Sequence, residues 1–116
     1  MNKIILAAVS ALVMHCALAE EFIVVGMGAG ANSCGQWLSS RRSNDTRAQN
    51  IMLTWLQGQV SGMNMAQPDS KMILLPASSV IEASADKDCA DEPTTPLAFV
   101  GAKLYWKLSA QNGKRR

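Results

Sequence analysis

Residues 46–66 read TRAQNIMLTWLQGQVSGMNMA, and this stretch decides the fold. Apolar side chains recur in it at steps of three and four residues, the spacing that places them on one face of an α-helix. Asp45 or Thr46 can cap the start of this helix, and Gln67-Pro68-Asp69 can end it. The apolar stripe consists of Ala48, Ile51, Met52, Trp55, Leu56, Met63 and Ala66.

Two glycines inside this helix, Gly58 and Gly62, form a G-x-x-x-G pattern. A glycine in a helix interior costs about 1 kcal/mol relative to alanine, so a structural reason for it is expected. We predict helix packing at these glycines, together with Trp55 and Trp106, with another backbone of the chain approaching closely. A partner protein is the alternative. A membrane span is excluded by the polar residues around the pattern, which are Gln57, Gln59, Ser61 and Asn64.

Two shorter helices are predicted on either side of the long one, over residues 34–42 and 77–90. Cys34 and Trp37 face inward in the first, together with Leu38, and Cys89 lies on the inner face of the second. The remaining apolar positions of the second are Val80, Ile81 and Ala85. The expected caps are Asn32 or Ser33 for the first helix, and Ser78 or Ser79, with Glu82 completing a capping box, for the second.

A closing helix begins at Pro96, the first helical position that proline favours, with Thr95 as its cap. Asn112-Gly113 is expected to end it. Its apolar stripe consists of Leu97, Val100, Leu104, Tyr105 and Leu108, widened by Phe99 and Trp106. Residues 72–75 (MILL) are compatible with an edge strand or a buried helical turn. The predicted fold is therefore all-α, a small four-helix domain.

The start of the chain predicts export. Lys3 precedes an apolar run over residues 4–13, and Ala17-Leu18-Ala19 is a typical cleavage site. The apolar run is shorter than the roughly 20 residues that a membrane-spanning helix needs. We expect a cleaved signal peptide and a periplasmic protein. The expected divisions are 1–19, signal peptide; 20–32, flexible glycine-rich lead; 33–112, helical domain; and 113–116, basic tail.

Cleavage leaves two cysteines, Cys34 and Cys89, because Cys16 lies in the signal peptide. In an oxidising compartment an even pair in a small domain indicates a disulfide. It would close a loop of 55 residues (89 − 34), for which the chain-entropy model gives roughly 4 kcal/mol. The alternative is two separate buried thiols. Zinc is not expected, because the spacing fits no zinc pattern and the only histidine, His15, is lost.

The charge balance excludes a nucleic-acid-binding role. Of 11 basic residues, 10 remain after loss of Lys3 and face 9 acidic ones, whereas nucleic acid needs a concentrated basic face. No enzyme is expected either. No histidine remains in the mature chain, and no serine lies in a nucleophile motif. Residues 26–31 match the dinucleotide pattern G-x-G-x-x-A, but residues 37–45 lack the second strand that such a fold requires. No cofactor is predicted.

Two metal hypotheses are weaker than their structural alternatives. The acidic residues between Glu82 and Glu92 lack the spacing of a calcium loop and are typical of a solvated helix face. Met63, Met65 and Met72 would suit copper(I), but methionine at helical spacing is usually core filler. We predict no metal.

The layout resembles two families of small exported proteins. Ser33-Cys34 with Leu38, the segment 81–91 around Cys89, and the closing helix 97–108 are similar to the HdeA-like periplasmic acid-stress chaperones. The layout also resembles exported immunity proteins that neutralise cell-wall amidases delivered by type VI secretion. Both resemblances imply a non-enzymatic, protein-binding domain.

The chaperone resemblance implies a closed state at neutral pH, which can be a homodimer, and a loosened state in acid. Protonation of the carboxylates would release packing and offer apolar surface to unfolding clients. The candidate binding surface is Met63, Val100 and Trp106, and the disulfide would limit the opening. The carboxylates concerned are Glu82, Asp86, Asp88, Asp91 and Glu92. An immunity or inhibitor protein would instead keep a stable fold and bind one specific envelope enzyme.

Overall fold

The structure is a computed structural model that describes residues 27–114, which form four α-helices. They are α1 (Cys34–Arg42), α2 (Thr46–Met65), α3 (Ser78–Asp91) and α4 (Leu97–Lys114), with 3-10 turns at Gly28–Ala31 and Asp69–Lys71. Cys34 and Cys89 form a disulfide that joins α1 to α3. The predicted all-α, four-helix fold with one disulfide is confirmed. The predicted signal peptide lies outside the described residues.

The starts of α1 and α2 follow their predicted caps. Ser33 completes a capping box: its hydroxyl accepts from the N–H of Gln36, and its own N–H donates to Gln36 Oε1 at 2.8 Å. The Asp45 carboxylate accepts from the N–H of Ala48 at 3.0 Å. Each cap satisfies a backbone donor that the first helical turn leaves without a partner.

The cap predicted for α3 is wrong. Ala77 occupies the cap position, and no side chain bonds to the exposed backbone donors there. Ser78 is instead engaged by α2, because Gln57 Nε2 donates to its hydroxyl at 2.6 Å. A tertiary contact has therefore taken the hydroxyl that the sequence pattern assigned to a local bond.

The ends of α4 also differ from the prediction. Its first turn receives help from across the molecule, since the N–H of Leu97 donates to the carbonyl of Asn32 at 2.9 Å. The Thr95 hydroxyl donates to Glu92 at 3.0 Å. The predicted stop at Asn112-Gly113 is wrong, because α4 continues to Lys114.

The core lies where α2 and α4 pack together, with α1 and α3 covering it. Trp37 and Tyr105 are its largest fully buried side chains. Its other members are Cys34, Met52, Leu56, Val60, Ile73, Ile81, Ala85, Cys89, Leu97, Val100 and Leu104. Two stripe predictions for α2 fail, since Ile51 is 54% exposed and Ala66 is exposed. Val60 and Asn64 take those inward positions.

The connection between α2 and α3 is neither a strand nor a helical turn. Residues 72–77 lack regular secondary structure. Buried Asn64 holds this segment with two bonds to Ile73: Asn64 Nδ2 donates to the carbonyl at 3.0 Å, and the Ile73 N–H donates to Asn64 Oδ1 at 2.9 Å. The Asn64 side-chain amide thus bonds to both backbone groups of Ile73, as the backbone of a neighbouring strand would, and Ile73 is buried.

The close backbone approach occurs at other glycines than those predicted. Among residues 27–114, a Cβ added at Gly58 or Gly62 would meet no atom within 4 Å, so no other backbone of this part of the chain approaches these glycines as predicted. A Cβ at Gly101 would overlap the Gln59 side chain, and one at Gly30 would overlap the ring of Trp55. Trp55 is therefore a packing residue, but its partner is the glycine-rich segment, whose described part forms a 3-10 turn in which Gly30 is buried.

Candidate functional site

The ion pairs between described residues all involve helix α3. Within residues 27–114, each of the three ion pairs takes its carboxylate from this helix. Arg41 on α1 pairs with Asp86 at 2.8 Å and with Glu82 at 3.4 Å. Lys103 on α4 pairs with Asp88 at 3.1 Å. The acidic helix is thus held by one basic side chain from each of two neighbouring helices.

Asp86 connects this surface network to the core. One of its oxygens accepts from the indole Nε1–H of Trp37 at 2.8 Å, and the other accepts from Arg41. The Trp37 ring is fully buried, so Asp86 satisfies a donor that has no access to water. Arg41 also lies 5.5 Å from the Trp37 ring centroid, within cation–π range. One carboxylate therefore supports both the orientation of the tryptophan and the position of the arginine.

The second contact of α3 joins Lys103 to Asp88, whose side chain is only 14% exposed. The hydrogen bond to the Asp88 carboxylate raises the pKa of the Lys103 ammonium above its ordinary value of 10.5, and the charges of Asp88, Glu92 and Asp91 act in the same direction. A raised lysine pKa means that this group stabilises the fold at neutral pH and loses that effect only above its folded pKa.

The apolar attachment of α3 is small by comparison. It buries Ile81, Ala85 and Cys89, whereas α4 buries six residues. Ala85 and Cys89 are small, so they bury little apolar area. Polar contacts therefore carry a larger share of the attachment of α3 than of the attachment of α4.

The disulfide lies next to backbone hydrogen bonds that connect the start of α1 to the segment after α3. Both sulfurs belong to fully buried residues. The N–H of Cys34 donates to the carbonyl of Thr95 at 2.8 Å, and that of Gly35 donates to Pro93 at 2.7 Å. The first turn of α1 is therefore fixed both to the end of α3 and to the connection that follows it. The end of α3 near Cys89 is covalently held, and the end near Glu82 is held by polar contacts.

The predicted binding surface is not assembled in the closed fold. Val100 is 4% exposed and belongs to the core, Met63 is partly buried against it, and Trp106 is 59% exposed. Positions 100 and 106 differ by about 120° around a helix, so they cannot share a face. Trp106 packs edge-on against Tyr105, at 5.5 Å between ring centroids.

The exposed apolar side chain that the sequence did not indicate is Leu74, which is 96% exposed. It lies on the segment that Asn64 holds, and it shares a hollow with Leu108 and Asn112 of α4. Asn112 also borders the hollow beside Trp106. Leu74 and Trp106 therefore place part of the exposed apolar surface beside the second half of α4, whereas Ile51 and Met65 are exposed on α2.

Between Met27 and Lys114, no three histidine, cysteine or acidic side chains cluster closely enough to hold a metal ion. No helix of this part of the chain has the length and hydropathy to cross a membrane. Two buried polar atoms there, Gln59 Oε1 and Tyr105 Oη, have no hydrogen-bond partner in the protein.

The geometry of the described residues thus presents an acidic helix, a buried disulfide and exposed apolar side chains near α4. Comparison of the chain with protein-family models, with curated proteins and with solved structures finds no match.

Proposed function

We propose that this protein is a non-enzymatic protein-binding domain of the periplasm that opens in acid and holds unfolded clients, as the HdeA-like chaperones do. The observation that supports it is the placement of the three ion-paired carboxylates on one helix, α3. Carboxyl groups of model peptides titrate near pH 4. A fall to about pH 2 therefore removes the negative partner from both neighbours of α3 at once.

The remaining charges favour separation. Arg41 of α1, Lys103 and Lys107 of α4 and Lys87 of α3 itself stay positive in acid, and α2 contributes the uncharged Gln57 at this helix. Exposed ion pairs contribute roughly 0.2–1 kcal/mol each, and a hydrogen bond to a charged group roughly 1.5–3 kcal/mol. Loss of the two Arg41 pairs and of the charged acceptor of the Trp37 indole then amounts to about 2–5 kcal/mol, a large part of the roughly 5–15 kcal/mol that holds a typical domain together.

The disulfide determines which part of α3 moves. Cys89 remains bonded to Cys34, so the helix separates at its Ser78 end and stays tethered at its other end. Separation breaks the bond between Trp37 and Asp86. It uncovers the inner face of α3 at Ile81 and the ring of Trp37 on α1, both of which are buried in the structure. The surface offered to clients is therefore the core beneath α3, rather than the predicted set of Met63, Val100 and Trp106.

The test is a pH titration of the oxidised protein from pH 7 to pH 2, followed by tryptophan fluorescence, near-ultraviolet circular dichroism and suppression of aggregation of an acid-labile client. The Asp86→Asn variant mimics the neutral carboxyl and should open at a higher pH than wild type, because one of the carboxylates that hold α3 is already uncharged in it. Asp69→Asn removes an exposed carboxylate that pairs with no base in residues 27–114 and serves as the matched control. A fold that remains closed at pH 2 and suppresses no aggregation contradicts the proposal.

The second candidate is an immunity or inhibitor protein that binds one envelope enzyme. The 59% exposure of Trp106 favours it, because tryptophan is enriched among the residues that dominate protein interfaces. This function predicts a closed fold at all tested pH values and a stoichiometric complex with one enzyme. Trp106→Ala should weaken that complex by about 2 kcal/mol or more, measured by calorimetry, while leaving the free protein folded.

A further inference from the structure

A groove of about 410 Å³ runs between α3 and α4. We call it the α3–α4 groove. Five residues, 92–96, connect the two helices, and Asp88 pairs with Lys103, so the helices are antiparallel. The groove therefore has a closed end, near this connection, and an open end, near the start of α3. From Lys103 to Gln111 it extends about 12 Å, at 1.5 Å per helical residue.

The charge of this groove changes along its length. Lys87, Lys103 and Lys107 line it from the closed end to its middle, and the lone carboxylate on its wall, Asp88, is already paired with Lys103. In the described part of the chain, Lys87 and Lys107 form no ion pair. Two lysines without an ion pair, Lys87 and Lys107, therefore lie along this part of the groove, while the charges of Asp91 and Glu92 act on Lys103 at its closed end.

The other end of the groove is mainly apolar. Val80, which is 45% exposed, lines the open end together with Ala83 and Leu108, and Gln111 is the polar side chain there. Leu108 also borders the hollow that contains Leu74, so the apolar surface continues beyond the groove. Val80 and Leu74 are both large apolar side chains left in solvent by the closed fold, and both border one continuous surface.

This distribution selects one class of ligand. The volume lies at the lower end of the roughly 300–1,000 Å³ of small-molecule clefts. A partner helix would place charged residues along both sides of its apolar face, over the whole length of contact. Here the positive charge and the apolar surface follow one another along the axis, which complements a molecule with an anionic head at one end and an alkyl chain at the other.

We propose that the α3–α4 groove binds a single-chain anionic amphiphile, with its head among Lys87, Lys103 and Lys107 and its chain over Val80 and Leu108. A free fatty acid and a lysophospholipid share this chemistry. The site exists in the closed fold at neutral pH and does not depend on the acid opening proposed above.

The experiment is a nitrogen-15 NMR titration of the oxidised protein at pH 7, with four dodecyl-chain probes below their micelle concentrations. Laurate and lauroyl-lysophosphatidylglycerol carry anionic heads, dodecyl maltoside is neutral, and dodecyltrimethylammonium is cationic. The anionic probes should bind saturably, shift the amides of residues 80–88 and 103–111, and bind about tenfold more tightly than the neutral probe. Tighter binding of laurate identifies the fatty acid as the source, and tighter binding of the other anionic probe identifies the lysophospholipid.

A matched pair of double variants tests the site itself. Lys87→Gln with Lys107→Gln should weaken laurate binding about tenfold, whereas Lys71→Gln with Lys114→Gln removes the same charge outside the groove and should leave it unchanged. Val80→Asn should weaken the anionic and neutral probes alike, because it changes only the surface beneath the chain. Equal loss in both double variants, shifts confined to other residues, or no saturable binding overturns the proposal. A protein that binds laurate but suppresses no aggregation in acid contradicts the proposed function alone.

Discussion

Alanine substitutions at Gly101 and at Gly58 should change the free energy of unfolding in opposite directions. Both glycines lie inside helices, where alanine is intrinsically favoured by about 1 kcal/mol. At Gly58 a Cβ meets no atom within 4 Å, so Gly58→Ala should raise the free energy of unfolding by about 0.5–1 kcal/mol. At Gly101 a Cβ overlaps the Gln59 amide and lies 3.2 Å from Leu56 Cδ2. Overpacking of this kind costs typically about 1–3 kcal/mol.

The Gly101→Ala substitution also displaces Gln59 from its bond to the carbonyl of Ala98, which is 2.7 Å long. Loss of that bond adds roughly 0.5–1.5 kcal/mol. After the gain in helix propensity is subtracted, the net destabilisation is about 1–3 kcal/mol, or a fall of roughly 4–20 °C in Tm for a domain of this size. Urea and thermal unfolding followed by circular dichroism measure both variants.

A double-mutant cycle isolates the cause of this destabilisation. Combining Gly101→Ala with Gln59→Ala removes the overlap, so the double variant should be more stable than the sum of the two single changes predicts. Additive effects would refute the packing explanation. Destabilisation by Gly58→Ala would likewise refute the geometry, since it would require a neighbour within contact distance of Gly58.

Three further perturbations follow from the polar contacts. Cys34→Ser with Cys89→Ser should lower the free energy of unfolding by about 2–5 kcal/mol, measured in urea, and no loss would mean that the closed loop does not constrain the unfolded chain. Asn64→Ala leaves both polar groups of Ile73 without their bonds, so a loss of about 2–4 kcal/mol and faster amide exchange at Ile73 are expected. Lys103→Met should destabilise the protein at pH 8, and the difference should vanish well above pH 10.5, where wild-type Lys103 is also neutral; a difference independent of pH would contradict the ion pair.

Local patterns in the sequence predicted the helices because their causes are local. Ser33 and Asp45 bond to backbone groups three residues away, and the spacing of Met52 and Leu56 requires only a helical period to place them on one face. The disulfide followed from counting cysteines in an oxidising compartment. Each of these inferences needs no knowledge of which helix packs on which.

The predictions that fail concern residues whose environment depends on a contact with a residue distant in the sequence. Asn64 is polar and was not assigned to the buried stripe, yet its amide meets the backbone of Ile73 in a segment without regular structure. The role of Gly101 is visible only when Gln59 lies across it. The α3–α4 groove has the same origin, since Lys87 and Lys107 are ordinary surface lysines until the antiparallel pairing brings their helices together.

The backbone bonds beside the disulfide bear on the order in which the chain folds. Asn32, Cys34 and Gly35 bond to Leu97, Thr95 and Pro93, so contacts about 60 residues apart in the sequence have to form together. Contacts between residues so far apart in the sequence form late, because closing the long loop between them costs conformational entropy before the contacts can stabilise the fold. If the protein is exported as the sequence predicts, Cys34 emerges long before this partner surface exists. If the signal peptide is cleaved first, Cys16 departs with it, and Cys89 is then the one intramolecular partner left for Cys34, so oxidation reaches the native pairing without any isomerisation step.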